Sequence, residues 1–339
     1  MALTDIWFLL IAVLWTGYFV LEGFDFGVGT LLRVLGRDDI DRRVLINTIG
    51  PVWDGNEVWL LVAGGATFAA FPLWYSSLFS GFYMALLLVL VALILRGVAF
   101  EFRSKIDSLR WRNTWDWIIV VASAAPALLW GVAFGNIVHG VPLDAQHHFT
   151  GSFFTLLNPY ALLGGLATLT LFTFHGAVFL TLKTTDALRD RARNLARALG
   201  AAAIVFGGGF LGFTALEHGG WAWLSSAVAA VLLAASVLFA TTERDGAAFA
   251  STTGAIIAVT FTLFWSLYPN VLPSTTDAAF SLTTTNASST PYTLEIMTWV
   301  AAIFTPVVLA YQAWTYWVFR KRITRASIPA GGGLPVERR

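Results

Sequence analysis

The chain has 339 residues, 57% hydrophobic and 12% charged, with a formal net charge of +1 and a mean hydropathy of +0.71. A soluble globular protein carries about 25% charged residues, so this composition excludes a soluble enzyme, a nucleic-acid binder and a disordered chain. The absence of cysteine excludes a disulfide framework, a thiolate-bound metal cluster and a cysteine nucleophile.

An integral membrane protein remains, and apolar runs without alternation at period two predict an all-α, polytopic bundle rather than a barrel. A hydrocarbon core of about 30 Å needs about 20 apolar residues per helix. Nine runs qualify, near 6–32, 52–72, 77–100, 115–137, 158–182, 198–216, 221–242, 248–268 and 293–319. The first is not expected to be a cleaved signal peptide, because residues 1–5 hold no Lys or Arg. Residues 1–325 are expected to form one transmembrane domain made of two four-helix bundles plus one extra helix. Residues 326–339, with Gly331-Gly332-Gly333, are expected to form a flexible tail.

The basic residues give the topology. Arg33, Arg37, Arg42 and Arg43 follow the first span; Arg103, Lys105, Arg110 and Arg112 follow the third; Lys183, Arg189, Arg191, Arg193 and Arg197 follow the fifth. Arg244 follows the seventh, and Arg320, Lys321, Arg322, Arg325, Arg338 and Arg339 follow the ninth. Only Arg96, of 21 Lys and Arg, lies inside a span. Lys and Arg are retained in the cytoplasm during insertion, so the N-terminus is expected outside and the C-terminus inside. The longer outer loops are 138–157 and 269–292, and the Ser- and Thr-rich second loop is expected to be solvated.

Small residues four apart, Gly23/Gly27, Gly131/Gly135 and Gly208/Gly212, predict close helix contacts. Gly64-Gly65 and Gly207-Gly208-Gly209 lack the strand-to-helix setting of a phosphate loop and are also read as helix contacts. Trp7, Trp74, Trp221 and Trp317 sit where an interfacial aromatic belt would lie.

Ionisable groups at membrane depth carry the functional signal, since each costs about 2.5–3.5 kcal/mol at a helix centre and needs a cavity or a partner. Glu22 and Asp25 share one face of the first span. Asp54 and Glu57 repeat that spacing in the second, and Arg96 and Glu101 close the third. At about 1.5 Å per residue, Asp25, Glu57 and Arg96 lie about 12, 9 and 10 Å from the inner surface. Acids and a base on three helices thus share one level. Trp53, Asn56 and Trp59 are placed to line the acidic patch. One reading is a structural ion-pair cluster; the other is a hydrated proton path from the cytoplasm, with Asp54, Asp25, Glu57, Glu22 and Glu101 as relay sites and Arg96 organising them.

Redox ligands are few. Of five His only His175 is well inside a span, and it is expected to be a hydrogen-bonded packing residue rather than a metal or haem ligand. His139, His147, His148 and His218 lie at or beyond the outer ends of spans. No catalytic residue and no metal site are expected in this chain, and partners other than nucleic acid are anticipated.

Four segments, Leu21–Gly29 (with Gly23-Phe24-Asp25), Gly50–Leu60 (with Trp53-Asp54-Gly55-Asn56), Gly64–Pro72 and Arg96–Lys105, resemble subunit II of the cytochrome bd quinol oxidases. The match is dense over residues 17–105; beyond residue 110 only length and span count correspond. The resemblance implies a non-haem subunit in the bacterial cytoplasmic membrane, paired with a subunit I that holds two b-type haems and one d-type haem. The complex would oxidise quinol and reduce O2 to water with protons from the cytoplasm. Small single-helix subunits, membrane lipids and a structural quinone are further partners that the resemblance allows. Asp54 matches the acid at the mouth of the family's proposed proton channel, and Asp25 and Arg96 match polar residues near it. Glu22 and Glu101 stand where some members have Asp. Glu57 stands where some have Gln, so Asp54 and Asp25 rank above it. The alternatives are a purely structural partner subunit and a secondary transporter, the latter favoured by mirrored broken helices that the sequence does not display.

Overall fold

A computed structural model describes residues 2–329 and the backbone of 334–335. The expected tail 326–339 therefore lies largely outside the described residues. Eleven helices follow in order: α1 (Leu3–Leu35), α2 (Asp39–Ile49), α3 (Trp53–Ala70), α4 (Pro72–Gly81), α5 (Tyr83–Phe102), α6 (Leu109–His139), α7 (Pro159–Lys183), α8 (Asp186–His218), α9 (Trp221–Thr241), α10 (Asp245–Leu267) and α11 (Pro291–Val318). Eight of them, α1 and α5 to α11, are long and apolar enough to cross a membrane. The expected second span is α3, whose first turns carry Asp54 and Glu57 and which is not among the eight. It stops at Phe71 (φ −134°, ψ 69°) because Pro72 follows, and a residue before proline is driven from helical geometry. The third expected span is divided at Phe82 into α4 and α5.

Helix α2 falls in a stretch read only as a basic loop. Its start is set by Asp38, whose side chain accepts from the Asp41 N–H at 2.8 Å. Asn158 and Thr290 cap α7 and α11 in the same way, each followed by proline at the first helical position.

Helix α1 sits at the centre, packed on α3, α6 and α7. Helix α5 lies on α6, and α7, α8, α9 and α10 pack in sequence with α10 returning to α7. Helix α11 rests on α1 and α3 and buries almost nothing of itself. Glycine sets the closest approaches. A Cβ on Gly27 would come 2.1 Å from the Phe172 carbonyl oxygen and 2.8 Å from Gly176 Cα; one on Gly131 would come 2.1 Å from the Gly164 oxygen.

Three expectations are corrected. At Gly64, Gly65, Gly207, Gly208 and Gly212 an added Cβ meets nothing within 4 Å among the described residues, so these are not helix contacts within this chain. Gly207, Gly208 and Gly212 instead line an apolar cavity of about 290 Å³. Trp7 and Trp74 are buried rather than set in a lipid-facing belt, and the Trp7 indole N–H donates to Leu294 O and Thr298 Oγ1 across to α11. Trp221 and Trp317 are exposed. Loop 269–292 is no simple solvated connection. Strands β1 (Asn270–Leu272) and β2 (Leu282–Thr283) pair antiparallel, and their Val271, Leu272 and Leu282 side chains are fully buried among the Ser and Thr that suggest solvent.

At the end bearing the basic loops, the cations hold acids. Asp116 on α6 is completely buried and accepts from Arg103 Nε at 2.5 Å and Arg42 Nη1 at 3.0 Å. Asp245 pairs with Arg189, Arg193 and Arg322 at 2.5, 3.3 and 3.4 Å. Asp41 takes Arg191 at 2.5 Å and also Arg325, which reaches Asp38 at 2.8 Å. Beyond α11 the chain is strapped to the end of α7. Arg322 Nη1 donates to the Thr181 and Thr184 carbonyls at 2.8 and 2.7 Å, and the Lys183 ammonium donates in return to the Phe319 and Lys321 carbonyls. Each helix thus receives a cation at its negative end.

Two predictions follow from this packing. Gly27→Ala forces a methyl into backbone and should destabilise the protein by about 1–3 kcal/mol, seen as a lower melting point in detergent, whereas Gly208→Ala should leave it unchanged. Arg325 beside Asp38 holds that carboxyl below its ordinary range, so the contact is present at neutral pH and is lost as pH falls through the depressed value. Amide protection factors over 325–329, taken relative to the intrinsic rate at each pH, should fall on acidification, and should already be low at neutral pH in Arg325→Gln; equal protection in that variant would show that the strap is held otherwise.

Candidate functional site

The buried polar cluster lies where α1, α3, α5 and α11 meet. Arg96, in the last two turns of α5, has no solvent exposure, and its Nη1 donates to Glu22 on α1, which is equally inaccessible. The guanidinium carbon stands 4.8 Å from the Phe26 ring centre and 5.5 Å from that of Phe100, so aromatic faces cover what carboxylate does not. One turn from Glu22, the buried Asp25 accepts from Asn56 Nδ2 at 2.7 Å. That amide also donates to Leu21 O at 3.3 Å, and its oxygen accepts from Gln312 Nε2 at 3.1 Å and Tyr316 OH at 2.7 Å.

The geometry brings together Glu22, Asp25, Arg96 and Asn56. Glu57 is half-buried and near enough for its charge to act on Glu22 and Asp25. Asp54 and Glu101 stand outside the cluster: both are exposed, and neither has an ion-pair partner among the described residues. Asp54 lies in the first turn of α3, where a negative charge also suits the helix dipole. Trp53 covers Gly97 and the Phe100 ring (5.3 Å between centres), and Trp59 fills the space over Gly17. Trp53 thus backs the Phe100 ring that covers Arg96, whereas Trp59 packs on α1 at Gly17.

Four buried atoms in the cluster have no partner among the described residues: Glu22 Oε2, Asp25 Oδ1, Arg96 Nε and Arg96 Nη2. Unsatisfied buried polar atoms are uncommon and costly, about 1–3 kcal/mol each. Four converging on one place have the donor and acceptor set of a water-binding site.

His175 has both ring nitrogens engaged, Nδ1 with Thr252 Oγ1 at 2.7 Å and Nε2 with Val20 O at 3.2 Å, and its ring stacks on Phe249 at 4.7 Å. It does not fit a haem iron without breaking both bonds, and Met84 faces outward on α5. His147 Nδ1 contacts Phe280 O at 2.8 Å, and His148 is exposed beside Asp144.

The sequence reading missed Gln312 and Tyr316, polar residues one turn apart in an otherwise apolar run, and that spacing was the available signal. It also missed Asp116, which stands at the start of an expected span flanked by Trp115 and Trp117.

Comparison with known proteins then places the chain. Residues 3–319 match the family described as cytochrome bd terminal oxidase subunit II. The chain is 42% identical over 330 residues to cytochrome bd ubiquinol oxidase subunit 2 of Bacillus subtilis, covering 95% of this chain and 97% of that one. It is 39% identical over 362 residues to cytochrome bd-I ubiquinol oxidase subunit 2 of Escherichia coli, covering 95% and 96%. Its fold is similar to a chain of the bd oxidase from Geobacillus thermodenitrificans, with a TM-score of 0.75 at 16% identity over 94% of this chain and 99% of that chain. An arginine walled in by acids and aromatic rings, in a bundle of membrane-length helices, therefore lies in a chain that belongs to the cytochrome bd terminal oxidase subunit II family.

Proposed function

We propose that this chain is the non-haem subunit of a respiratory quinol oxidase and carries protons from the cytoplasm toward the oxygen-reducing haem of its partner. The relatives are named as ubiquinol oxidase subunits, and family and apolar helices together make this a multi-pass protein of the bacterial cytoplasmic membrane. The partner is a subunit I that holds two b-type haems and one d-type haem, with quinol as the substrate of the complex; small single-helix subunits and a structural quinone or lipid complete the expected assembly. The topology is nine spans, with α3 as the ninth alongside the eight apolar helices, in two four-helix bundles and an extra helix. At 18 residues α3 reaches about 27 Å, close to the hydrocarbon thickness. The basic end faces the cytoplasm by charge retention, which puts the N-terminus outside.

The buried cluster carries this reading. Glu22, Asp25 and Arg96 are all inaccessible, and two acids against one cation are neutral only when one proton is held between them. An isolated buried charge is far more costly than an exchangeable proton. Asp54, exposed at the head of α3, and the half-buried Glu57 lead from the basic end to Asp25, with the unpartnered atoms of Glu22, Asp25 and Arg96 as bonding sites for connecting water. The haem chemistry is supplied by the partner, and this chain's residues receive, hold and pass the proton.

The competing reading, a scaffold in which Glu22 and Arg96 merely bolt α1 to α5, is favoured by that same ion pair and is separated by substitution. Asp25→Asn in the two-subunit complex should cut quinol-driven oxygen consumption and proton uptake at least tenfold with haem content preserved. Asp54→Asn should lower both several-fold, and Glu101→Gln should stay near wild type. Full turnover and undiminished proton uptake in both aspartate variants would establish the scaffold instead.

A further inference from the structure

We propose that Gln312 and Tyr316 on α11 are positioning residues for Asp25, acting through the side-chain amide of Asn56. The inference rests on the proton-path reading of Asp25 and adds to it a fourth helix and two residues.

Asn56 has two N–H groups and two acceptor lone pairs, and all four are used. Its nitrogen donates to Asp25 Oδ2 at 2.7 Å and Leu21 O at 3.3 Å; its oxygen accepts from Tyr316 OH at 2.7 Å and Gln312 Nε2 at 3.1 Å. The orientation is unambiguous, because Leu21 O and a carboxylate only accept, so the amide nitrogen must face α1. A buried amide with every bond made has one resting place. The two bonds from α11 therefore decide where the N–H reaching Asp25 points.

Helix α11 makes this arrangement informative. It buries almost nothing of itself against the chain, yet it turns two polar side chains, one turn apart, onto one buried amide. The Tyr316 ring packs against the core, but that contact does not require its hydroxyl or the Gln312 amide. The fit is built: Gly55 leaves the Gln312 amide room, since a Cβ there would meet Gln312 Oε1 at 3.3 Å, and the Tyr316 ring sits 6.5 Å from that of Phe24 beside Asp25. Asp25 itself bonds to a neutral group while its Oδ1 stays unpartnered. A small shift of Asn56 thus changes the neutral hydrogen bond that holds the acid from α3. The charged and titratable groups facing this place are Glu22 from α1, Glu57 from α3, Arg96 from α5 and Tyr316 from α11.

The test uses the intact two-subunit complex with Tyr316→Phe, which keeps the ring, Gln312→Leu, the double variant, and Asp25→Asn for reference. Each single variant should lower turnover about two- to fivefold, as expected for one neutral hydrogen bond, and the double variant further. Haem content and the KM for quinol should hold at wild-type values, and the pH–activity profile should be displaced from the wild-type curve. A double variant with wild-type turnover and profile, while Asp25→Asn is slow, overturns the positioning role and leaves the proton path standing. Lower turnover with an unmoved pH profile also overturns it, since that is the mark of a structural role alone. If Asp25→Asn turns over normally, Asp25 is no relay and the positioning role fails with it. Should the double variant not assemble, Tyr316→Phe alone decides by the same two readouts.

Discussion

The structure depends on the cost of holding a guanidinium away from water. Arg96 cannot lose its charge, and at zero exposure it must be met by opposite charge or by π-electrons. Glu22 provides the first, and Phe26 and Phe100 provide the second. That requirement brings α1 and α5 into register, and with α1 come Asp25 and the Asn56 amide of α3. Removing one member of a buried pair costs about 3–5 kcal/mol, because the survivor is left charged and dry. The cluster is therefore a packing constraint as well as a chemical site, and each helix that touches it is held at a fixed height along the bundle.

Much of this was legible from residue types and spacing. The depths of Asp25, Glu57 and Arg96 follow from the rise of a helix counted back from the basic loops, and the pairing of an intramembrane arginine with acids follows from solvation alone. What could not be read was which acids would turn inward. Asp54 and Glu57 are three apart, yet Asp54 faces out while Glu57 is half-buried. The choice is made by the start of α3 after the Gly50-Pro51 turn, which sets the helix phase, and phase is a property of the folded neighbourhood. Gln312 and Tyr316 were hidden for another reason. A scan for charge passes over neutral polar groups, although in lipid a glutamine also needs partners.

The arginines of the basic loops show the same divide. Their asymmetry between loops carries the topology, but a count says nothing of partners. Arg103 is as buried as Arg96 and is tied to Asp116 and Asp39. Arg189, Arg193 and Arg322 converge on Asp245 from two separate stretches of chain. Residues that direct insertion thus close the basic end of the bundle afterwards. The glycines separate in a similar way: Gly27 and Gly131 are required by backbone against backbone, whereas Gly208 and Gly212 line a cavity, and spacing alone cannot distinguish the two.

A tightly bound ion pair makes a poor relay, because a proton arriving at its carboxylate must displace a cation. The cluster divides that burden between its two acids. Glu22 takes the direct contact with Arg96. Asp25 bonds instead to a neutral amide and retains an unpartnered oxygen, so on the proposed reading it can gain or lose a proton without breaking a salt bridge. An amide is suited to this position. It donates to the carboxylate without contributing a charge of its own, and its other end is anchored by α11. On the proposed reading, the acid that changes state is the one held by a neutral bond, and the acid held by arginine keeps the architecture while it does so.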